Sequence, residues 1–184
     1  MENCHLQLLR DRFATRSIST TPFPEEIVAD LMEAIRLTPS CSNNQPWRYL
    51  FLQSPEALRI GHQALTGGNL KWVPRAPLLV VGYDRRSDDC LPKDGRAYYQ
   101  FDLGMATMNL LLAATQHGLV ARPMAGFDPQ IIKQGFHMDE ADEPLVLVAI
   151  GYPSEDEDHL PDYAKGMSKK PRQRKTVEEI IKRL

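Results

Sequence analysis

A single domain of helices interleaved with short, buried strands is what this chain of 184 residues predicts, and three observations carry that expectation. Runs with helical spacing alternate with runs that are apolar nearly throughout, the pattern of strands covered on both faces. One long segment, roughly Ala97 to His117, carries Leu103, Met105, Ala106, Met108, Leu110, Leu111 and Leu112 almost all the way round a helix. Such a helix must be buried on more than one side. The third observation is the loop Pro39-Ser40-Cys41-Ser42-Asn43-Asn44-Gln45-Pro46-Trp47, which sets small and amide residues between two prolines. It cannot continue a helix, and it can turn backbone N–H groups and side-chain amides toward a flat heteroaromatic ligand. An ordinary Ser/Asn-rich connection would look the same in isolation.

Composition bounds the rest. The length and the apolar fraction of 42% suit one domain (residues 1–184) with a proper core. A formal charge of −2 gives no global reason to expect nucleic acid or an anionic membrane as partner. Cys4, Cys41 and Cys90 lie far apart, with neither CxxC nor His spacing. That argues against a disulfide framework and against a zinc site, and makes a reducing cytoplasm the expected home. No leader-type apolar run is visible at the N-terminus, and no stretch approaches the roughly 20 apolar residues that span a bilayer.

Taken in order, residues from about Cys4 to Arg12 read as a short helix that runs into Arg12-Phe13-Ala14-Thr15-Arg16-Ser17. Two arginines four apart can fork a phosphate monoester through paired, charge-assisted hydrogen bonds. Pro24-Glu25-Glu26 opens a second helix striped by Ile27, Leu31, Ala34 and Ile35. A strand follows at Tyr49–Leu52, then a helix capped by Ser54-Pro55-Glu56, a Gly67-Gly68-Asn69 turn and a strand at Leu78–Gly82. From Asp84 to Gly95 the chain is charged and irregular, a surface loop or a lid.

The long helix comes next, and its apolar circumference suggests a homodimer as well as a core role. After a strand near Leu119–Ala121, the turn Pro123-Met124-Ala125-Gly126-Phe127-Asp128 leads into a short helix through Gln134. Its small residues leave backbone bare for close approach. Leu145–Gly151 is another strand, and Lys169-Lys170-Pro171-Arg172-Gln173-Arg174-Lys175 is a basic run ahead of a final helix from about Val177. That run is a solvated tail, a loose polyanion contact, or extra charge for the phosphate of the N-terminal arginines. His5, His62, His117, His137 and His159 are scattered, and no Ser-His-Asp or Cys-His arrangement stands out. Trp72, Tyr98 and Tyr99 are core aromatics unless they flank a substrate opening.

Together these pieces resemble the nitroreductase family of FMN-dependent oxidoreductases. The family's basic-x-Ser-x-basic pattern is met by Arg12 to Arg16, and its Pro-Ser-x-x-Asn-x-Gln-Pro-Trp loop by Pro39 to Trp47. Its Pro-x-x-Gly-Phe turn is met by Pro123 to Phe127, and its C-terminal basic pattern by Arg172 and Arg174. The resemblance implies an α+β fold, a mixed central sheet flanked by helices, in a two-fold homodimer with FMN at the interface. It implies a phosphate held by Arg12, Phe13, Ala14, Arg16, Arg172 and Arg174. The isoalloxazine would be faced by Pro39, Ser40, Cys41 and Asn43 of the partner subunit, bonded at its pyrimidine edge by Asn69, with the backbone of Ala125 and Gly126 near N5. The implied activity is hydride transfer from NADH or NADPH through flavin N5 to nitroaromatics, quinones or similar flat acceptors, in ping-pong fashion and without a side-chain nucleophile.

Two departures from the pattern stand out. Ala14 occupies the usual serine position, and Ala125 a position that is glutamate in some members. The alternatives are a relative specialised for dehalogenation, flavin fragmentation or metabolite dehydrogenation, a non-catalytic flavin or nucleotide binder, or a dimer that contacts polyanions through residues 169–175.

Overall fold

The computed structural model describes residues 4–184. Helix α1 (Cys4–Asp11) is followed by α2 (Glu25–Arg36), whose acids at the first turn complement the positive end of the helix. Strand β1 (Trp47–Leu52) leads to α3 (Pro55–Gln63), where the Ser54 side chain accepts from the Ala57 N–H and Pro55 takes the first helical position. Strand β2 (Leu78–Arg85) precedes the long helix α4 (Tyr98–Gln116). Then come β3 (Val120–Met124), α5 (Pro129–Gly135) capped by Asp128, β4 (Asp142–Gly151) and a last turn of helix, α6 (Val177–Ile180). The element order agrees with the expected one. Strand β4 begins three residues earlier than the apolar run suggests, because Asp142, Glu143 and Pro144 extend the pairing with β2.

The four strands lie in the order β1-β2-β4-β3, and every pairing is antiparallel. An α+β fold with flanking helices was expected and is found, but the sheet is antiparallel where a mixed one was expected. Helices α3 and α5 return the chain in the opposite sense, whereas α4 carries it from β2 across to β3, which runs the same way as β2 on the other side of β4, so every neighbouring pair is antiparallel.

Side chains along the central pair alternate strictly between two cores. Leu79, Val81, Leu147 and Ala149 enter one core with Trp72, Val120 and Ile132. Leu78, Val80, Val148 and Ile150 enter the other with Leu31, Leu103 and Leu110. A period of two with both faces apolar needs helices on both sides: α2 and α4 cover one face, α3 and α5 the other. Gly82 is required where β2 shifts register, since a Cβ there would lie 2.8 Å from Val146 Cγ1 and 2.9 Å from Tyr49 Cε1. Among the described residues no helix is long and apolar enough to cross a membrane.

Leu79 is fully buried in the middle of the sheet. Leu79→Ala is expected to lower unfolding free energy by about 2–5 kcal/mol, measured by denaturant titration, because lost transfer energy and an uncollapsed cavity add.

Candidate functional site

The segment after α1 is irregular, so its position is set by hydrogen bonds from elsewhere. The Ser17 N–H donates to Thr15 Oγ1 at 3.0 Å, the Ser17 hydroxyl donates to the Asp156 carbonyl, and the Ser154 N–H donates to the Ser17 carbonyl at 3.1 Å. From the C-terminal basic run, Arg172 Nη1 donates to the carbonyls of Leu9, at 3.5 Å, and Arg12. From β3, Arg122 Nη1 donates to the Ala14 carbonyl. The two ends of the chain and the sheet edge thus converge on residues 12–17.

Beside this junction is a cavity of about 200 Å³ lined by Ala14, Thr15, Arg16, Arg122, Ala164, Met167 and Ser168. Two guanidiniums line it, and the Glu157 carboxylate reaches it only as the acceptor for Ser168. Burial pulls the Arg122 guanidinium down to about 10, and the charge of Arg16 pulls the same way. Arg12 is lowered by burial, then by the charges of Arg172 and Arg174. Among the described residues, none of these five arginines forms an ion pair with a carboxylate. Partly buried guanidiniums that repel one another are stabilised by an anion, and a phosphate monoester offers both the charge and the bidentate geometry.

A second group forms where β3 ends. The Asn69 amide donates to the Gly126 carbonyl at 3.0 Å, the Thr66 N–H donates to the same oxygen at 3.1 Å, and Leu65 bridges to Phe127. A Cβ on Gly126 would lie 2.6 Å from Asn69 Nδ2, so only glycine permits this approach. Three residues after Asn69, the buried Trp72 ring carries the Arg122 guanidinium 5.5 Å from its centroid, a cation–π contact. Trp72 is therefore core, and its Nε1 has no hydrogen-bond partner among the described residues. Asn69, Gly126 and Arg122 are linked through one strand and one turn.

Residues 39–43 are not among those that line the arginine cavity. The Cys41 N–H donates to Asp102 at the start of α4, at 3.2 Å to Oδ2. The Gln45 N–H donates to Ser40 Oγ at 2.9 Å, and the Asn44 amide donates to the Asp89 carbonyl at 3.1 Å. The expectation against a disulfide is overturned: Cys41 and Cys90 are bonded, with Cα atoms 5.8 Å apart at a sequence separation of 49. The charged excursion after β2 folds back over the Pro39–Trp47 loop, and sequence spacing carries no sign of that return. Beneath them lie Asp84, Asp89 and Asp102, all buried. Burial pushes Asp84 up to about 7, with help from Glu143 and Asp89, and among the described residues neither of its carboxylate oxygens has a hydrogen-bond partner.

Residues 9–66 and 60–152 match the profile described as Nitroreductase family. This chain belongs to the nitroreductase family. A relative from Stutzerimonas stutzeri (strain A1501), provisionally named NADH dehydrogenase/NAD(P)H nitroreductase, is 31% identical over 146 residues, covering 70% of this chain and 74% of its own. Among solved structures, one described as an oxidoreductase containing FMN superposes with a TM-score of 0.84 at 27% identity, over 95% of this chain and 88% of its own. Another, from Exiguobacterium sibiricum 255-15 and solved in complex with FMN, superposes with a TM-score of 0.81 over 97% of this chain and 96% of its own. At 17% identity it supports the fold alone.

As a nitroreductase-family chain, it has a donor set that suits FMN. Arginines without a carboxylate partner suit the phosphate, and the Asn69 amide, held in place by the Gly126 carbonyl, suits the ring edge. The serine position held by Ala14 brings no hydroxyl, but Thr15 lines the same cavity. Ser17 does not, its hydroxyl being spent on Asp156. Arg122 was not singled out from the sequence. The available signal was a lone cation between the apolar strand residues Val120-Ala121 and the turn at Pro123. Among the described residues no cluster of His, Cys, Asp and Glu is placed to hold a metal ion.

Two outcomes follow. Millimolar phosphate should raise the melting temperature of the cofactor-free protein more than chloride of equal ionic strength does, and Arg16→Ala should shrink that difference, as read by thermal denaturation. For Asp84, the folded carboxyl keeps its proton up to about pH 7 while the unfolded one ionises near 3.8. The folded state thus binds the extra proton between those values, and stability falls as pH rises through that window. Asp84→Asn should gain roughly 1–3 kcal/mol relative to wild type at pH 8, and much less at pH 5, in parallel denaturant titrations.

Proposed function

We propose that the protein is an FMN-dependent NAD(P)H oxidoreductase that passes electrons to nitroaromatics, quinones or similar flat acceptors. The observation that carries this reading is that Arg16 and Arg122 line one cavity, with Arg12, Arg172 and Arg174 close together beside it, and none of the five has a carboxylate ion-pair partner among the described residues. Arg12, Arg16, Arg172 and Arg174, with backbone at Phe13 and Ala14, would hold the phosphate, and Arg122 would add a fifth charge. Asn69 and the backbone of Ala125 and Gly126 would meet the ring. Bound flavin would supply the two-electron chemistry, accepting hydride from NADH or NADPH and releasing electrons to the second substrate.

The chain's own residues place and polarise. A positive clamp at the phosphate fixes the cofactor's tail, and rigid backbone donors at the end of β3 present fixed dipoles to the ring without reorganising. Pro39, Ser40, Cys41 and Asn43 do not line the arginine cavity of their own subunit, which suits a role on the cofactor of a partner subunit. A homodimer is supported by the outer side of α4. Phe101 and Leu145 are about half exposed there, beside an apolar hollow of about 230 Å³ lined by Leu103, Gly104, Thr107, Met108, Leu111, Leu145 and Val146. A nicotinamide co-substrate also argues for a cytoplasmic setting, where that pool resides.

Purified protein reconstituted with FMN should show the oxidised-flavin spectrum, bleach with NADH or NADPH under anaerobic conditions, and recover colour with a nitroaromatic. Arg16→Ala should weaken FMN binding by about 1.5–3 kcal/mol, roughly 10- to 150-fold in Kd by fluorescence titration, with an unchanged fold. Equal affinity in the two proteins would remove Arg16 from the site. Flavin that binds but resists nicotinamide favours a specialised relative. A colourless protein that shifts on nucleic acid at low salt favours a polyanion binder.

A further inference from the structure

We propose that Cys41 and Cys90 form a reversible thiol–disulfide site that clasps the Pro39–Trp47 loop to the segment after β2, so that the loop's shape depends on redox state. The bond is the covalent member of a set of contacts that tie the excursion to the loop, to the start of β1 and to the start of α4. Asn44 Nδ2 reaches the carbonyls of Asp88 and Asp89, Arg48 pairs with Asp88 at 3.4 Å, and the Tyr98 N–H donates to Asp89 Oδ2 at 3.2 Å. Apart from the bond, these contacts are exposed or only partly buried, so each is weak in water.

Two features show that the tether holds a conformation the chain would not otherwise keep. Five non-glycine residues have positive φ among the described residues, and four belong to the clasped segments: Ser42 (51°), Asn43 (57°), Gln45 (50°) and Leu91 (48°). Left-handed backbone is unfavourable for side chains other than glycine, least so for asparagine, and persists only where the surroundings over-determine it. The second feature is charge. Asp84, Asp89 and Asp102 are buried beside the clasp, Glu143 faces Asp84, and the Cys41 N–H is the hydrogen bond given to Asp102. Opening would hydrate carboxylates that repel one another. Cys41 and Cys90 are themselves only partly buried.

The step is ordinary exchange. The thiolate of a reduced thiol of the glutathione class attacks one sulfur of the pair, forming a mixed disulfide and expelling the other cysteine as thiolate. A second thiol then attacks the mixed disulfide. Cys41 and Cys90 end as thiols, protonated from solvent, and the reductant leaves as its own disulfide, two electrons poorer. Oxidised glutathione reverses the sequence. In the reduced form the strained loop relaxes away from the segment after β2. This consequence for cofactor binding rests on the proposed role of residues 39–43 at the flavin ring, whereas the clasp itself does not.

The test uses the full chain. Protein equilibrated with oxidised glutathione should yield a Cys41–Cys90 linked peptide by mass spectrometry and titrate one thiol, from Cys4. After dithiothreitol it should titrate three. Hydrogen exchange in 39–47 and 86–97 should quicken at least several-fold on reduction, with the strands unchanged. Cys90→Ser should exchange like reduced wild type under both conditions, and Cys4→Ser should respond as wild type does. FMN affinity of wild type should differ several-fold between the two states. Three thiols in the oxidised sample, or identical exchange in both states, overturns the clasp. If clasp and exchange behave as stated but FMN affinity is the same in both states, the link to the cofactor is overturned. Failure of wild type to bind FMN at all is instead a failure of the proposed function, and leaves the thiol and exchange readouts standing.

Discussion

The central pair of strands, β2 and β4, is apolar on both faces, and the rest of the molecule is arranged by the need to cover it. Leu78 to Val81 and Leu147 to Ile150 are all inaccessible to solvent. At about 25 cal/mol per Å² of apolar surface, no other interaction in a domain this size competes with hiding those side chains. Two helices on one face and two on the other follow, and β1 and β3 are left as the edges. The position of β3 has a functional consequence, because its register against β4 brings Arg122 opposite Ala149 and Met124 opposite Leu147. That carries the chain from the arginine cavity directly to the Ala125–Gly126 turn.

Charge is unbalanced at the two ends of this pair, with opposite sign. Where β2 finishes and β4 begins, Asp84 and Glu143 face each other with Asp89 nearby. Toward the other end of β4, Arg122 meets Arg16. Neither concentration helps the fold by itself, since buried like charges raise its free energy. Arrangements of this kind concentrate at functional sites. The cationic end suits an anionic cofactor. The acidic end lies under the loop whose shape the Cys41–Cys90 bond maintains.

Much of this was legible beforehand. Element order came from periodicity, because a period of 3.6 and a period of two place apolar side chains differently and the cores accept only the right one. Helix starts at Ser54-Pro55 and Asp128-Pro129 were legible because an N-cap is local chemistry. The four motifs were legible in order, and the structure joins two of them, Arg12–Arg16 and Arg172, through hydrogen bonds. The disulfide was not: Cys41 and Cys90 have no spacing signature, and their meeting depends on how an irregular segment returns over a loop. Arg122 went unnoticed because its meaning depends on neighbours 108 residues away.

What the linear chain determined alone was therefore everything set by short-range physics: where helices and strands begin, which faces are apolar, and which residue types are fit to hold a phosphate or lie against a ring. Tertiary structure decided which of those residues meet. It made the sheet antiparallel, drew Arg16 and Arg122 to one cavity and Arg172 onto the segment beside it, and linked two cysteines that looked unrelated. The reason is that contacts between distant segments are selected by burial of the whole core, a global quantity that no local stretch of sequence encodes.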